Sequence, residues 1–371
     1  MWVSQLDLTQ WRNHHNTRLH LSPGISLFIG PNGQGKTNIV EAIRYLTSLS
    51  SHRVANTAPL IRDNEAQATI FAQIHHGDRQ VPLALTVKRQ GSNEAMVGGS
   101  KAKVSDIPRW ISSVLFSPED LAIVRGEPGH RRDFMDDLVV SSSPSMVAVY
   151  QDFDRVLRQR NSLLKSLRSL TKASDLSTLE SWTSKTVSLA AQIIVARIKA
   201  LKELTPFFIA EYGALAGGDV AGAQYDARGY VCEADQDVDS VAAVLEEAFW
   251  RVRDEELDRG MTMVGPHRDD LQLTISGRPS RTHASQGETW SLSLALRLAM
   301  AGWLRNKSSG GDPIIMLDDV FAELDSSRRA HLVASLSGYE QVLITSAVEG
   351  DIPTTLQGEV FDVRRGVVTL R

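Results

Sequence analysis

The chain has 371 residues, a single cysteine, 42% hydrophobic side chains and a formal net charge of −4. That length supports two or three domains with sizeable cores, and the lone Cys232 excludes a disulfide framework and suits a reducing, cytoplasmic setting. No basic region and apolar core follow Met1, and no segment is apolar enough to span a bilayer: the longest candidate, Leu189 to Leu201, carries Gln192, Arg197 and Lys199.

From Met1 to about Leu49 the order is strand, turn, strand, glycine-rich loop, helix. Ile25, Leu27, Phe28 and Ile29 read as a buried strand, and Ile39, Val40, Ala42, Ile43, Leu46 and Leu49 recur with helical spacing. Between them Gly30-Pro31-Asn32-Gly33-Gln34-Gly35-Lys36-Thr37 fits G-x-x-x-x-G-K-[ST] at every fixed position. Glycines let such a loop curl round a phosphate, its amides and the helix N-terminus supply a positive field, and Lys36 adds a mobile charge. The Thr37 hydroxyl is placed to reach Mg²⁺. With strand, loop and helix in that order, nucleotide binding is preferred to a glycine-rich surface turn.

The next stretch changes character. Gln67 to His75 and Val81 to Arg89 read as strands around the turn His76-Gly77-Asp78-Arg79, and Met96 to Gly99 as a further hairpin, together an antiparallel β lobe. Past Ile107 the pattern becomes helical. Met146, Val149, Phe153, Val156, Leu163, Leu167 and Leu170 form one stripe, broken by Arg160. Leu189, Ile193, Ile194, Ile198 and Leu201 form a second, across the polar connection Thr171 to Ser177. These stripes predict an antiparallel helical arm. Gly213 to Gly229 reads as a loop, Val241 to Asp258 as one acidic amphipathic helix, and Val360 to Leu370 as closing hairpin strands.

Charge is distributed unevenly. Arg155, Arg158, Arg160, Lys165, Arg168, Lys172, Lys185, Arg197, Lys199 and Lys202 face only Asp175 and Glu180 within their stretch. Such a run is either a solvated helix face or a surface that tracks phosphates, and both readings stand.

Pro313 to Leu317 is a second buried run, and it ends in Asp318-Asp319. An aspartate at such a strand tip holds Mg²⁺, and a second acid can orient attacking water. Ser285-Gln286-Gly287-Glu288 precedes it at the head of an apolar helix, and Glu323-Leu324-Asp325 follows. That ordered set is the signature of ABC-type ATPases, in which the Ser-x-Gly turn of one subunit closes over ATP held by another. Taken alone, Ser285 to Glu288 would be an ordinary capped helix start.

Over essentially its whole length the sequence resembles the RecF family, bacterial recombination-mediator ATPases of the ABC and structural-maintenance-of-chromosomes superfamily. Beside the motifs above, the resemblance rests on Gln10-Trp11-Arg12-Asn13, Gly30 through Asn38, Phe116 to Leu121 and Gly129-His130-Arg131-Arg132. Arg158 to Asn161, Leu163-Leu164-Lys165 and Gly265 to Asp270 complete it. It implies an ATP-dependent homodimer that binds double-stranded DNA near single-strand gaps and junctions. It further implies slow, DNA-stimulated ATP hydrolysis and work with RecO and RecR in loading RecA, with no membrane partner. The implied fold is an α/β ABC-type P-loop core with an antiparallel β lobe and an inserted helical arm. Residues 1–120 are the N-terminal half, 121–258 the arm, and 259–371 the half with signature, Asp318 strand and Asp325 loop.

The implied ATP site comprises Arg12, Gly30, Pro31, Asn32, Gly33, Gln34, Gly35, Lys36, Thr37 and Asn38, with Ser285 and Gly287 acting from a second protomer. Thr37 and Asp318 would hold Mg²⁺, and Lys36 and Asp319 would serve catalysis. Ser117-Pro118-Glu119 falls where transporter relatives place a metal-sensing glutamine, with no glutamine present, and Thr345 or Ser346 stands where the superfamily often has a histidine. Asp319 replaces the transporters' glutamate; its shorter reach calls for an intervening water, in keeping with slow turnover. His267 reads as structural. A membrane-docked transporter subunit is disfavoured by the missing glutamine and histidine, and a small-molecule kinase leaves Ser285 to Glu288 unexplained.

Overall fold

The computed structural model describes residues 1–51, 53–54, 56–168, 176–216, 218–233, 235–307 and 311–371. They fall into two units: Met1–Leu121, Phe207–Asp219 and Ala284–Arg371 in one, Ala122–Pro206 and Val220–His283 in the other. The first division lies beside the expected 120/121 boundary. The second falls at His283 rather than at 258, because Asp270–Ile275 pairs with Ala221–Asp226 and so stays with the inserted unit.

The first unit holds two six-stranded sheets. One is built on parallel strands in the order Glu359–Arg364, Gly24–Ile29, Gln341–Ser346, Ile314–Asp318 and Ser113–Phe116, with Val367–Leu370 antiparallel at one edge. Every residue of Ile314–Asp318 and Gln341–Ser346 is buried, the continuous pattern of strands covered on both faces. The other sheet is antiparallel and runs His14–His20, Trp2–Trp11, Gln67–His76, Arg79–Lys88, Glu94–Val97, Ser100–Ala102. Its alternation buries Ile70, Ala72, Ile74, Leu83, Leu85 and Val87 in the same cluster as Ile39, Val40, Ala42, Ile43 and Leu46 of the helix Lys36–Ser48. Leu49 ends that helix in a left-handed conformation with φ 55°.

Two of these strands depart from expectation. His14–His20 is an additional strand before the loop strand, and Ser113–Phe116 occupies part of the region expected to be helical. Four residues, all buried, carry no period that separates a strand from a helical turn.

The second unit contains the helices Pro128–Ser142, Met146–Arg168, Val238–Arg251 and Arg253–Arg259, and Ser177–Ala216 as far as Pro206. Val238–Arg251 and Arg253–Arg259 replace the single acidic helix expected over Val241 to Asp258; the break is at Val252. The unit is not wholly helical. A three-stranded antiparallel sheet forms from Ala221–Asp226, Asp270–Ile275 and Arg278–Pro279, within the Gly/Ala-rich stretch expected to be loop and beyond it. Of the expected connection Thr171 to Ser177, residues 171–175 lie outside the described residues, as does Leu170 of the first stripe.

On Met146–Arg168 the inward face is Val147, Phe153, Val156, Arg160 and Leu164. Arg160 therefore belongs to the stripe it was expected to break. It is 2% exposed, donates to Glu256 at 2.6 Å and Thr262 at 2.8 Å, and lies 4.7 Å from the centre of the Phe249 ring. Such a charge is tolerated inside only because its partner and donors are satisfied. Several motif residues serve the same unit: Arg131 forks onto Asp270 at 2.7 and 3.0 Å, and Asn161 accepts from Thr262. His267 packs 6.0 Å from Phe153, and burial lowers its pKa to about 4, so it is a neutral structural side chain. Half-buried Cys232 has its thiol pushed up to about 11 by burial and is inert at neutral pH.

Candidate nucleotide site

The loop Gly30–Gly35 joins the central strand Gly24–Ile29 to the helix Lys36–Ser48. Gly35 is the N-cap of that helix with φ 113°, and a Cβ there would come within 2.7 Å of Asn13 and 2.9 Å of His14. Only glycine meets both demands. Gln34 is gripped from two sides, its carbonyl accepting from Asn13 at 2.9 Å and from the Gly366 amide at 2.9 Å. Asn38 closes the frame, donating to Asn13 at 2.7 Å and accepting from Arg53 at 2.9 Å. Gly30 packs so tightly on the Val363 carbonyl that a Cβ would lie 2.2 Å from it. Pro31, Asn32 and Gly33 remain exposed. The loop is thus held rigid at its base with its rim open, which is the geometry an anion needs.

Lys36 is 3% exposed and folds back over the loop, donating to the Gly30 carbonyl at 2.8 Å and to Pro31 and Asn32 at 3.4 Å. Its ammonium also lies 3.9 Å from Asp319. These loop acceptors occupy the donors that phosphate oxygens would otherwise take.

Asp318 and Thr37 are brought together across the intervening strand Gln341–Ser346. The Thr37 hydroxyl donates to Asp318 Oδ1 at 2.9 Å, and the Thr345 hydroxyl donates to the same oxygen at 2.6 Å. Asp318 is 4% exposed; burial pushes its pKa up to about 6, opposed by the Thr345 and Thr37 hydrogen bonds and reinforced by Asp319 and Glu119. A buried carboxylate with an adjacent hydroxyl is a pair of hard oxygen donors, which suits Mg²⁺. Among the described residues no group of three or more His, Cys, Asp or Glu could hold a metal. Two protein oxygens suit a cation whose remaining positions phosphates and water fill.

Asp319 differs sharply from its neighbour. It is 33% exposed on its side chain and adopts φ 52°, with its amide bound to the Thr345 carbonyl at 3.2 Å and hydroxyl at 3.1 Å. Thr345 therefore serves both acids at once. Ser346, the other expected substitute for a histidine, instead donates to the Val348 carbonyl at 2.8 Å.

Arg12 lies beside the loop but its donors are engaged. It forks onto fully buried Glu41 at 2.8 and 2.6 Å and donates to the Pro59 carbonyl at 3.0 Å. A cavity of 850 Å³ adjoins the loop, lined by Arg12, Asn13, Gly33, Asn38, Arg53 and Arg62 among others, with Arg365 at its edge. Arg53 and Arg365 had no expected part in the nucleotide site; nothing local in sequence marks them, since they reach it from a loop and a hairpin turn.

Ser285 is the N-cap of the helix Gln286–Lys307. Its amide donates to Glu288 at 2.7 Å and its hydroxyl accepts from the Glu288 amide at 3.3 Å, a reciprocal cap. The turn is nonetheless exposed at Ser285 and Gln286, so the positive end of a 22-residue helix faces solvent. Deeper in that helix Arg297 grips Asp120 at 2.7 Å, next to Glu119.

The basic run of the second unit is smaller than the sequence suggests. Arg160 is consumed by a buried pair with Glu256 and buried Arg197 by half-buried Asp136, at 2.6 Å each, and Lys202 by exposed Asp235. Arg158, Lys165, Arg168, Lys185 and Lys199 are exposed, and Lys172 lies outside the described residues.

The model of the RecF/RecN/SMC N terminal domain family matches residues 2–360. The chain is 42% identical to the DNA replication and repair protein RecF of Leifsonia xyli subsp. xyli, over 99% of each chain. It is also 42% identical to that of Clavibacter sepedonicus, over 99% of this chain and 95% of the relative. A solved structure of the recombination mediator protein RecF-ATPrS in the RecFOR pathway superposes with a TM-score of 0.90 at 26% identity, covering 100% of this chain and 98% of the other. An Smc head bound to the C-winged helix domain of ScpA superposes with a TM-score of 0.55 at 14% identity, covering 100% and 97%, a likeness of fold alone. Among the described residues no helix is long and apolar enough to cross a membrane.

Proposed function

The chain belongs to the RecF family, and from that premise we propose that it is an ATP-switched DNA-binding protein of replication and repair, closing as a homodimer on ATP and opening on hydrolysis. The observation that carries this reading is the meeting of Thr37 and Asp318 at 2.9 Å beneath an open glycine loop. ATP phosphates replace the loop carbonyls as acceptors for Lys36, and the amides of Gly33 to Thr37 take the remaining phosphate oxygens. Thr37 and Asp318 would hold Mg²⁺, which would supply charge neutralisation at the phosphates. Asp319, its backbone held to Thr345 and its side chain partly exposed, orients water for attack through an intervening water molecule.

Ser285 and Gly287 act in trans. The exposed N-terminus of their helix is an anion site that the γ-phosphate of a second protomer would fill, so nucleotide binding energy becomes dimerisation energy. DNA lies on the exposed cations Arg158, Lys165 and Arg168, read through phosphates and shape. The names borne by the relatives, DNA replication and repair protein and recombination mediator in the RecFOR pathway, support a role with RecO and RecR; the family resemblance extends that role to duplex DNA beside single-strand gaps, ahead of RecA loading.

Sedimentation of wild type and Ser285→Arg with and without ATP tests the composite site. Wild type should dimerise with ATP. The variant should bind nucleotide normally and stay monomeric, and a normal ATP-dependent dimer of Ser285→Arg would remove the turn from the nucleotide interface.

A further inference from the structure

The turn Ser285–Gly287 and the loop Asp319–Asp325 are separate in sequence, yet one side chain joins them. Arg328, in the helix Ser326–Ser335, donates Nε to the Ser291 hydroxyl at 2.9 Å. Ser291 is buried, between one and two turns below Ser285 on the signature helix. Through Nη1 the same guanidinium pairs with Asp325, which is also the N-cap of the Arg328 helix, accepting the Arg328 amide at 2.9 Å. Its Nη2 lies against Gly287, where a Cβ would come within 2.9 Å. A side chain at position 287 would therefore press on the guanidinium of Arg328.

The loop that Asp325 ends is itself held by side-chain hydrogen bonds. Arg329, which follows Arg328, donates to the Phe321 carbonyl at 2.8 Å and the Leu324 carbonyl at 3.3 Å, and Phe321 is buried. At its other end Asp319 is fastened to Thr345. Asp319 and Asp325 therefore bound one short segment that is tied to its surroundings by hydrogen bonds near both ends.

We propose that Arg328 is a positioning residue that couples the signature turn to the catalytic acids of its own chain, so that engaging a partner's nucleotide through Ser285 and Gly287 sets the position of Asp319. A planar guanidinium suits this task because its five donors in a fixed fork address Ser291 and Asp325 at once, which a lysine ammonium on a flexible stem does not. Nucleotide bound in one site of the dimer is thereby sensed at the other. The coupling rests on the composite-site reading given above.

The test uses full-length protein and four readouts: nucleotide affinity of the monomer, ATP-dependent dimerisation, kcat, and the Hill coefficient for ATP. Arg328→Ala and Arg328→Lys should bind ATP and dimerise like wild type, while kcat falls about tenfold, within the usual span of coupling energies, and the Hill coefficient drops toward one. Asp325→Asn, which retains the cap and weakens the pair, should move kcat and the Hill coefficient the same way by less. Wild-type kcat and cooperativity in Arg328→Ala would overturn the coupling. Full activity in Arg328→Lys would overturn the role of the fork. Parallel loss of thermal stability, nucleotide affinity and dimerisation in all three variants would also overturn it, since that pattern belongs to a structural residue. If wild type fails to dimerise on ATP, or Ser285→Arg dimerises normally, the composite site itself falls, an outcome separate from those above.

Discussion

Replacing Thr345 by valine removes a hydroxyl without changing shape, and it probes the site at its least exposed point. The Thr345 hydroxyl donates to Asp318 at 2.6 Å, a hydrogen bond to the charged form of a carboxyl already pushed up to about 6 by burial. A hydrogen bond to a charged group contributes about 1.5–3 kcal/mol. At about 1.4 kcal/mol per pKa unit, its loss moves Asp318 up by one to two units, to about 7–8. At pH 7 the ionised fraction then falls about two- to tenfold, and Mg·ATP affinity should fall with it. The loop should stay in place, because the Asp319 amide retains the Thr345 backbone carbonyl at 3.2 Å.

Isothermal titration of Mg·ATP between pH 5 and 9 reads this directly. Wild type should bind poorly at pH 5 and reach its plateau above pH 7, whereas Thr345→Val should reach the same plateau one to two units later. An unchanged midpoint would refute the assignment of Thr345 as the residue that keeps Asp318 ionised. The same group sets a signature in the nucleotide-free protein. Its folded pKa lies above the ordinary 3.8, so its contribution to stability is fully present below that value and lost as pH rises through about 6. Over that window the loss is about 3 kcal/mol. Asp318→Asn should therefore raise Tm at pH 8 and leave it nearly unchanged at pH 4.

Three further outcomes follow from the geometry. Lys36→Met should abolish tight ATP binding, whereas Asp319→Asn should bind ATP and accumulate as a dimer with little turnover, and equal ATPase rates in Asp319→Asn and wild type would remove Asp319 from catalysis. Reversing Arg158, Lys165 and Arg168 together should weaken duplex binding for all sequences and flatten the log–log salt dependence by about 0.9 for each phosphate no longer neutralised; unchanged isotherms across a salt series would move the DNA site elsewhere. Arg160→Ala should destabilise the protein by about 3–5 kcal/mol, because Glu256, 1% exposed, is left unpaired in the interior. The double variant Arg160→Met, Glu256→Leu should recover most of that stability in a denaturant melt.

What the sequence by itself determined was local. The phosphate loop, its flanking strand and helix, the Gln67–His76 and Arg79–Lys88 hairpin and the acid pair after Ile314–Leu317 each carry their pattern within about two dozen residues or fewer. The family resemblance placed the Asp318 strand in the same fold as the loop. The tertiary structure alone decided what depends on distant partners. Ser113–Phe116 becomes a strand because Ile314–Leu317 offers it a parallel edge, and Ala221–Asp226 because Asp270–Ile275 offers an antiparallel one; neither has a period of its own. Arg160, polar by type, joins the core because Glu256, about a hundred positions on, neutralises it there. Thr345 acts on Asp318 rather than on a phosphate because its strand lies between the loop strand and the acid strand, which puts its hydroxyl 2.6 Å from the carboxylate. Strand pairing, ion pairing and burial are interactions between chain segments, and a residue's own neighbours in sequence carry no record of which segment will arrive.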